Sequence, residues 1–269
     1  MPKDKKLHVL EIINRASLPR GRKGRNPSAA YQVDDGTLFY RVRHPPDKLF
    51  VKLEEKQIVA ELPDDSMLNC GAHGSAIYFE TASHKIYKAV FTPPDGITVT
   101  CLRNALENEE FLPGALCTRN EDGAVYAYRM SDDPEQDAVY IDTSSDDLYG
   151  AVLIGVENNF GIFESRDASL HRPSARRLND TVILIEVPST FSPPFCRGAF
   201  VYIADVQKLF TLNTDAMEFM PMVQIGDLES IQNIKSIVGV HEGVITVIAE
   251  GRTEGDELQL ISARLPEGY

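Results

Sequence analysis

Cys70-Gly-Ala-His73 has the spacing of a metal-ligand pair. A structural zinc takes four such ligands, and no second pair of this kind stands nearby. The two residues therefore read as a strand cysteine followed by a turn histidine. Carboxylates of the kind that bind calcium cluster at Asp132, Asp133, Glu135 and Asp137, and again at Asp142, Asp146 and Asp147. Neither cluster has the spacing of a calcium loop, and both read as solvated loops. The six histidines (His8, His44, His73, His84, His171 and His241) accompany no serine or cysteine nucleophile in a recognisable motif. There is no P-loop and no GxGxxG turn. The sequence thus assigns no catalytic residue, no metal and no cofactor.

Two basic segments are better candidates for binding. The first is Arg20, Arg22, Lys23 and Arg25, set among Gly and Pro, the composition of a flexible loop. Such a loop, expected over residues 14–30, can contact phosphates or dock an acidic partner. The second is Arg166, His171, Arg172, Arg176 and Arg177, read as part of a long turn from Glu164 to Asn179. Long loops on a rigid scaffold often carry function. No aromatic residue interleaves either run, which weighs against stacking on single-stranded nucleic acid. Pro188–Phe195 reads as a connector, with Phe191 and Phe195 as an alternative docking surface.

The net charge is −13, unevenly placed. Residues 1–25 hold eight Lys/Arg against Asp4 and Glu11, so the rest of the chain is strongly acidic. An acidic body repels nucleic acid and anionic membrane at long range, which leaves a protein as the expected partner and nucleic acid only through the basic loops. The four cysteines (Cys70, Cys101, Cys117 and Cys196) are widely spaced, as in reduced intracellular proteins. The opening residues lack the pattern of a signal peptide, and no apolar run approaches the ~20 residues of a helical membrane span. The expectation is a soluble protein of the cytoplasm or nucleus.

The elements that must position these residues follow period two, not 3.6. Runs rich in Val, Ile, Tyr, Phe and Thr suit half-buried strands: Ala76–Phe79, Ile97–Cys101, Val125–Tyr128, Val182–Val187 and Val244–Ala249. Leu102–Phe111 and Asp227–Lys235 are the two best helical windows. The strands recur as a unit, in which a Gly precedes an alternating strand, a polar turn and a strand with an aliphatic–aromatic pair. Gly74-Ser-Ala-Ile-Tyr-Phe followed by Ile86-Tyr87-Lys88-Ala89-Val90 is the clearest copy. Others start at Gly36, Gly123, Gly161, Gly198 and Gly243, at intervals of 38, 49, 38, 37 and 45 residues. A four-stranded propeller blade takes about 40–50 residues, and Gly at the hairpin permits φ > 0.

On these copies the chain resembles β-propellers of the Kelch-like or another six-bladed type, without a Gly-Gly pair or any Trp. That resemblance implies an all-β fold, one domain over residues 1–269, of about six four-stranded blades. Leu7–Ile13 would close the ring by joining the last blade. A β-sandwich or a pair of β-barrels is the alternative. Propellers host both binders and enzymes. The leading functional expectation is a non-enzymatic protein-binding scaffold or adaptor. The alternatives are a propeller hydrolase with a channel metal or carboxylate site, and an RNA-associated factor using the basic loops.

Overall fold

Alternating apolar residues become strands throughout the computed structural model, and no helix occurs among the described residues. Those residues are 7–18, 29–42, 47–53, 56–63, 67–112, 115–122, 124–130, 139–141, 152–157, 160–165, 174–179, 182–188, 192, 194–216, 218–226, 231–251 and 258–269.

The first strands are β1 (His8–Leu10) and β2 (Ile12–Ser17). Next come β3 (Ala29–Gln32), β4 (Leu38–Val42), β5 (Lys48–Lys52) and β6 (Gln57–Val59), a plain antiparallel sheet in chain order. The same order recurs in β7 (Met67–His73), β8 (Ala76–Thr81), β9 (Lys85–Thr92) and β10 (Gly96–Asn104). It recurs again in β11 (Glu109–Leu112), β12 (Leu116–Glu121), β13 (Ala124–Arg129) and β14 (Val139–Ile141). Strands β15 (Val152–Glu157), β16 (Phe160–Ser165), β17 (Ser174–Asn179) and β18 (Val182–Pro188) form a sheet ordered β15-β16-β18-β17. A six-stranded sheet then holds β19 (Phe195–Arg197), β20 (Phe200–Asp205), β21 (Lys208–Asn213), β22 (Glu218–Phe219) and β23 (Val223–Ile225), with β1 at its edge. Finally β24 (Ile231–His241), β25 (Val244–Gly251) and β26 (Leu258–Arg264) form a four-stranded sheet with β2.

The all-β class and the propeller-like, four-stranded sheets agree with the sequence reading. A set of about six equal blades does not. Four sheets have the plain antiparallel order; one has its last two strands exchanged, and one is enlarged by a short β22 and a parallel β1. Both helical windows are also corrected. Leu102–Asn104 finishes β10 and Glu109 opens β11, while Ile231–Lys235 belongs to β24. Cross-strand pairing overrides a weak helical pattern there.

The chain divides into two compact units. One comprises Pro19–Phe163 with Arg176–Leu184. Within it β8 is buried at every position, and its alternation explains why. Ile77 and Phe79 pack into a cluster with Phe39, Leu49, Val51 and Cys70. Ala76 and Tyr78 point the other way, into a cluster with Phe111, Cys117, Tyr128 and Met130. A central strand with two apolar faces is what stacked sheets require. The aliphatic–aromatic pairs of the repeat are cross-strand stacks: Tyr40 on Phe50 and Phe79 on Tyr87, each at 5.4 Å between ring centroids. Such pairs are a unit of sheet stabilisation.

The other unit comprises Met1–Leu18, Glu164–Ala175 and Ile185–Tyr269. Its core unites Leu10, Tyr202, Leu209, Val223, Ile225, Ile231, Val247 and Ile261, with Phe195 packed against it. Phe195 therefore serves the core rather than a docking surface, and Phe191 lies outside the described residues.

The N-terminal segment departs from expectation in its bounds. Only its second half joins the last sheet: β2 runs antiparallel to β26, Ile12 opposite Ala263 and Ser17 opposite Gln259. Its first half, β1, lies parallel to β23 in the preceding sheet, His8 opposite Val223. The two share one turn of backbone, where the Arg264 N–H donates to the Glu11 carbonyl at 2.9 Å. Gly226 makes the passage possible. At φ +73° it lies so close to Ile231 and Ile12 that a Cβ would sit 2.5 Å and 3.2 Å from their methyls. The basic loop expected over 14–30 shortens at both ends, because β2 extends to Ser17, Leu18 is buried, and β3 starts at Ala29.

The repeat glycines hold at Gly36, Gly74, Gly198 and Gly243, all with positive φ. Glu242 and Gly243 both take positive φ between His241 and Val244, the two-residue turn that matches strand twist. Gly161 differs: it lies inside β16 and not at a hairpin. Gly123 lies outside the described residues.

Candidate functional site

Arg20, Arg22, Lys23 and Arg25 lie outside the described residues, as do Arg166, His171 and Arg172. Arg176 and Arg177 are on β17. The long turn read from Glu164 to Asn179 is corrected at both ends, where Glu164 and Ser165 belong to β16 and Ser174–Asn179 form β17. The acidic clusters at 132–137 and 142–147 also lie outside the described residues, with His44.

Cys70 falls on β7, as read from the sequence, whereas His73, read as a turn residue, is the last residue of the same strand. Their spacing of three puts them on opposite faces: Cys70 enters the core and His73 ends the strand opposite Ala76. Among the described residues no group of three His, Cys, Asp or Glu side chains is placed to hold a metal ion.

The polar chemistry that is present is buried, and most of it escaped the sequence reading. Arg41 stands on β4 in register with Phe39, so the alternation drives it inward. The residue is only 3% exposed. It meets Asp47 at 3.1 Å and donates to the backbone carbonyls of Met67 and Leu68 on β7. The arginine thus ties one sheet to the next through main-chain acceptors. Around it, burial pushes the Cys70 thiol up to about 12, against the pull of Arg41. Burial, reinforced by Cys70, raises the Tyr31 phenol as well.

A second network joins the following pair of sheets. Arg103 on β10 grips Glu109 on β11 with both ends of its fork, Nη1 to Oε2 at 2.7 Å and Nη2 to Oε1 at 2.5 Å. Glu109 also accepts from the Leu106 N–H at 2.7 Å and from the Tyr128 hydroxyl. Burial alone would raise the Glu109 carboxyl, but these donors outweigh it and hold it below the ordinary value. The same burial raises Cys117 and Tyr128. Both networks keep thiols and phenols protonated, which is the reverse of nucleophile activation. They act as clamps between sheets. The signal that could have found them is a charged residue at an inward register position, Arg41 beside Phe39 and Glu109 beside Phe111.

The unit containing β1 carries an open apolar groove of about 610 Å³. Leu7, Pro221, Met222, Val223, Pro266 and Tyr269 line it, together with His8. The parallel pairing of β1 and β23 builds the groove, because it sets Leu7 and Met222 side by side where both strands begin. Tyr269 is held there by its hydroxyl, which donates to the Pro221 carbonyl.

No family model matches the chain, and no curated protein matches it. Among solved structures, a glutaminyl cyclase from Myxococcus xanthus is similar at a TM-score of 0.38 and 10% identity, over 96% of this chain and 98% of that one. The N-terminal domain of Nup159 is similar at a TM-score of 0.44 and 7% identity, over 90% of this chain and 77% of that one. At these scores neither likeness bears on activity.

Proposed function

We propose that the chain is a propeller closed by its N-terminal segment, and that it works as a non-enzymatic adaptor binding a protein partner. A segment shared between two neighbouring sheets supports the closure. The observation that carries the binding role is the contrast between the two kinds of site. Arg41, Asp47, Arg103 and Glu109 are consumed in buried clamps, whereas the open groove beside β1 is apolar and lined by Pro, Met and Tyr. Met and Tyr are enriched where proteins meet. The partner that fits is a protein offering an extended apolar segment.

The test is affinity capture with the full chain, compared with Met222→Lys. A partner retained by the wild type and lost by Met222→Lys, at unchanged melting temperature, supports the adaptor. A partner bound equally by both rejects the groove. No reproducible partner, together with turnover of a small molecule by the wild type, rejects the adaptor itself.

A further inference from the structure

We infer that β10 is a self-association edge, at which a second copy of this chain pairs antiparallel about Val99. Strand β10 ends its sheet, pairing with β9 on one side and with no strand on the other among the described residues. A sheet edge offers a row of unpaired N–H and C=O groups, which proteins usually guard with charge, proline or shortness. Several other strands that end a sheet are guarded. Arg15 stands in β2, Arg176 and Arg177 in β17, and β6 and β14 are three residues each. Strand β10 has nine residues, and Gly96-Ile-Thr-Val-Thr-Cys-Leu102 carries neither charge nor proline. Thr98, Thr100 and Cys101 are exposed, and Ile97 and Val99 are half-buried.

The sequence is self-complementary about Val99. Regular antiparallel pairing of two copies sets Val99 opposite Val99, Thr98 opposite Thr100 and Ile97 opposite Cys101. Threonine pairs and β-branched pairs favour each other across strands. The β-bulge between Cys101 and Arg103 ends the regular run at that point. A two-fold axis through one edge closes the assembly at two copies.

Sedimentation of the full chain over a range of concentrations tests this. The wild type is expected to pass from monomer to dimer as concentration rises. Thr98→Lys/Thr100→Lys sets lysine against lysine at both threonine pairs, and is expected to stay monomeric at an unchanged melting temperature. Thr98→Glu/Thr100→Glu is expected to do the same, and an equimolar mixture of the two variants to dimerise again. Val99→Cys in a Cys101→Ser background is expected to form a disulfide dimer on oxidation, since directly opposed Cα atoms lie about 4.5–5.5 Å apart. A wild type that stays monomeric throughout overturns the proposal, even if the edge captures an extended peptide. So does a lysine variant that dimerises as the wild type does, or a mixture that stays monomeric.

Discussion

Arg41 and Asp47 meet at 3.1 Å with nearly all of both side chains out of water. The pair exists because the alternation of β4 turns Arg41 inward, where the carbonyls of Met67 and Leu68 would otherwise lack a donor from this side chain. Removing one member of a buried pair strands the other charge, at a cost of about 3–5 kcal/mol. Asp47→Ala is expected to lose that much in urea unfolding. Arg41→Met should lose at least as much, since it also strips two carbonyls. A loss under about 1 kcal/mol for either would show that the pair does not clamp the sheets.

Glu109 gives the fold an acid limit. Its carboxyl titrates below the ordinary value in the folded state, so its contribution is fully present above the unfolded value of about 4.3. The contribution is lost as pH falls through the lower, folded value. Melting temperature should therefore drop as pH falls below about 4.3. Glu109→Gln should start lower at neutral pH and drop less over that window. Parallel curves for the two proteins would refute this role.

Adjacent residues of β1 separate packing from mere presence of the strand. Leu10 is buried in the core with Val223 and Ile225, whereas Val9 is 46% exposed. Leu10→Ala is expected to cost about 2–5 kcal/mol, and Val9→Ala to stay within about 0.5 kcal/mol. Deletion of residues 1–14 should destabilise further, as it removes β1 and part of β2. An unchanged melt after that deletion would sink the closing role of the segment.

Val206 is strained. It takes φ +55° in the turn between β20 and β21, although it is β-branched and 48% exposed. Its carbonyl accepts the Ile234 N–H at 2.7 Å, and the next residue, Gln207, donates to the Ile231 carbonyl. These bonds to β24 hold the turn in place. The left-handed region costs roughly 1–2 kcal/mol for such a residue. Val206→Asn, which tolerates that region, should raise stability by about 1 kcal/mol, and Val206→Thr should not. Equal melting temperatures for all three would mean that the turn carries no strain.

Period two was legible because each strand shows alternate faces to core and solvent, and the strand runs read from sequence all fall in strands. The repeat was legible where its turn demands φ > 0, as at Gly74 and Gly243. It misled at Gly161, where the same residue sits within β16. Pairing order was not legible in β15–β18, since strand exchange leaves the composition of each strand unchanged. The clamps escaped because Arg41 and Glu109 look like ordinary surface charges until register is assigned. The groove escaped because Leu7, Met222 and Tyr269 are far apart in sequence and meet only through the parallel pairing of β1 with β23.

That pairing also orders events in time. The sheets of β3–β6 and β7–β10 are made of neighbours in sequence and can form as soon as they leave the ribosome. The segment holding β1 and β2 cannot, for His8 must wait for Val223 and Ile12 for Ala263. Contacts this distant are slow to close. Strands β1 and β2 are thus satisfied only after Val223 and Ala263 have been made, and until then a nascent chain carries Val9 and Leu10 unpaired.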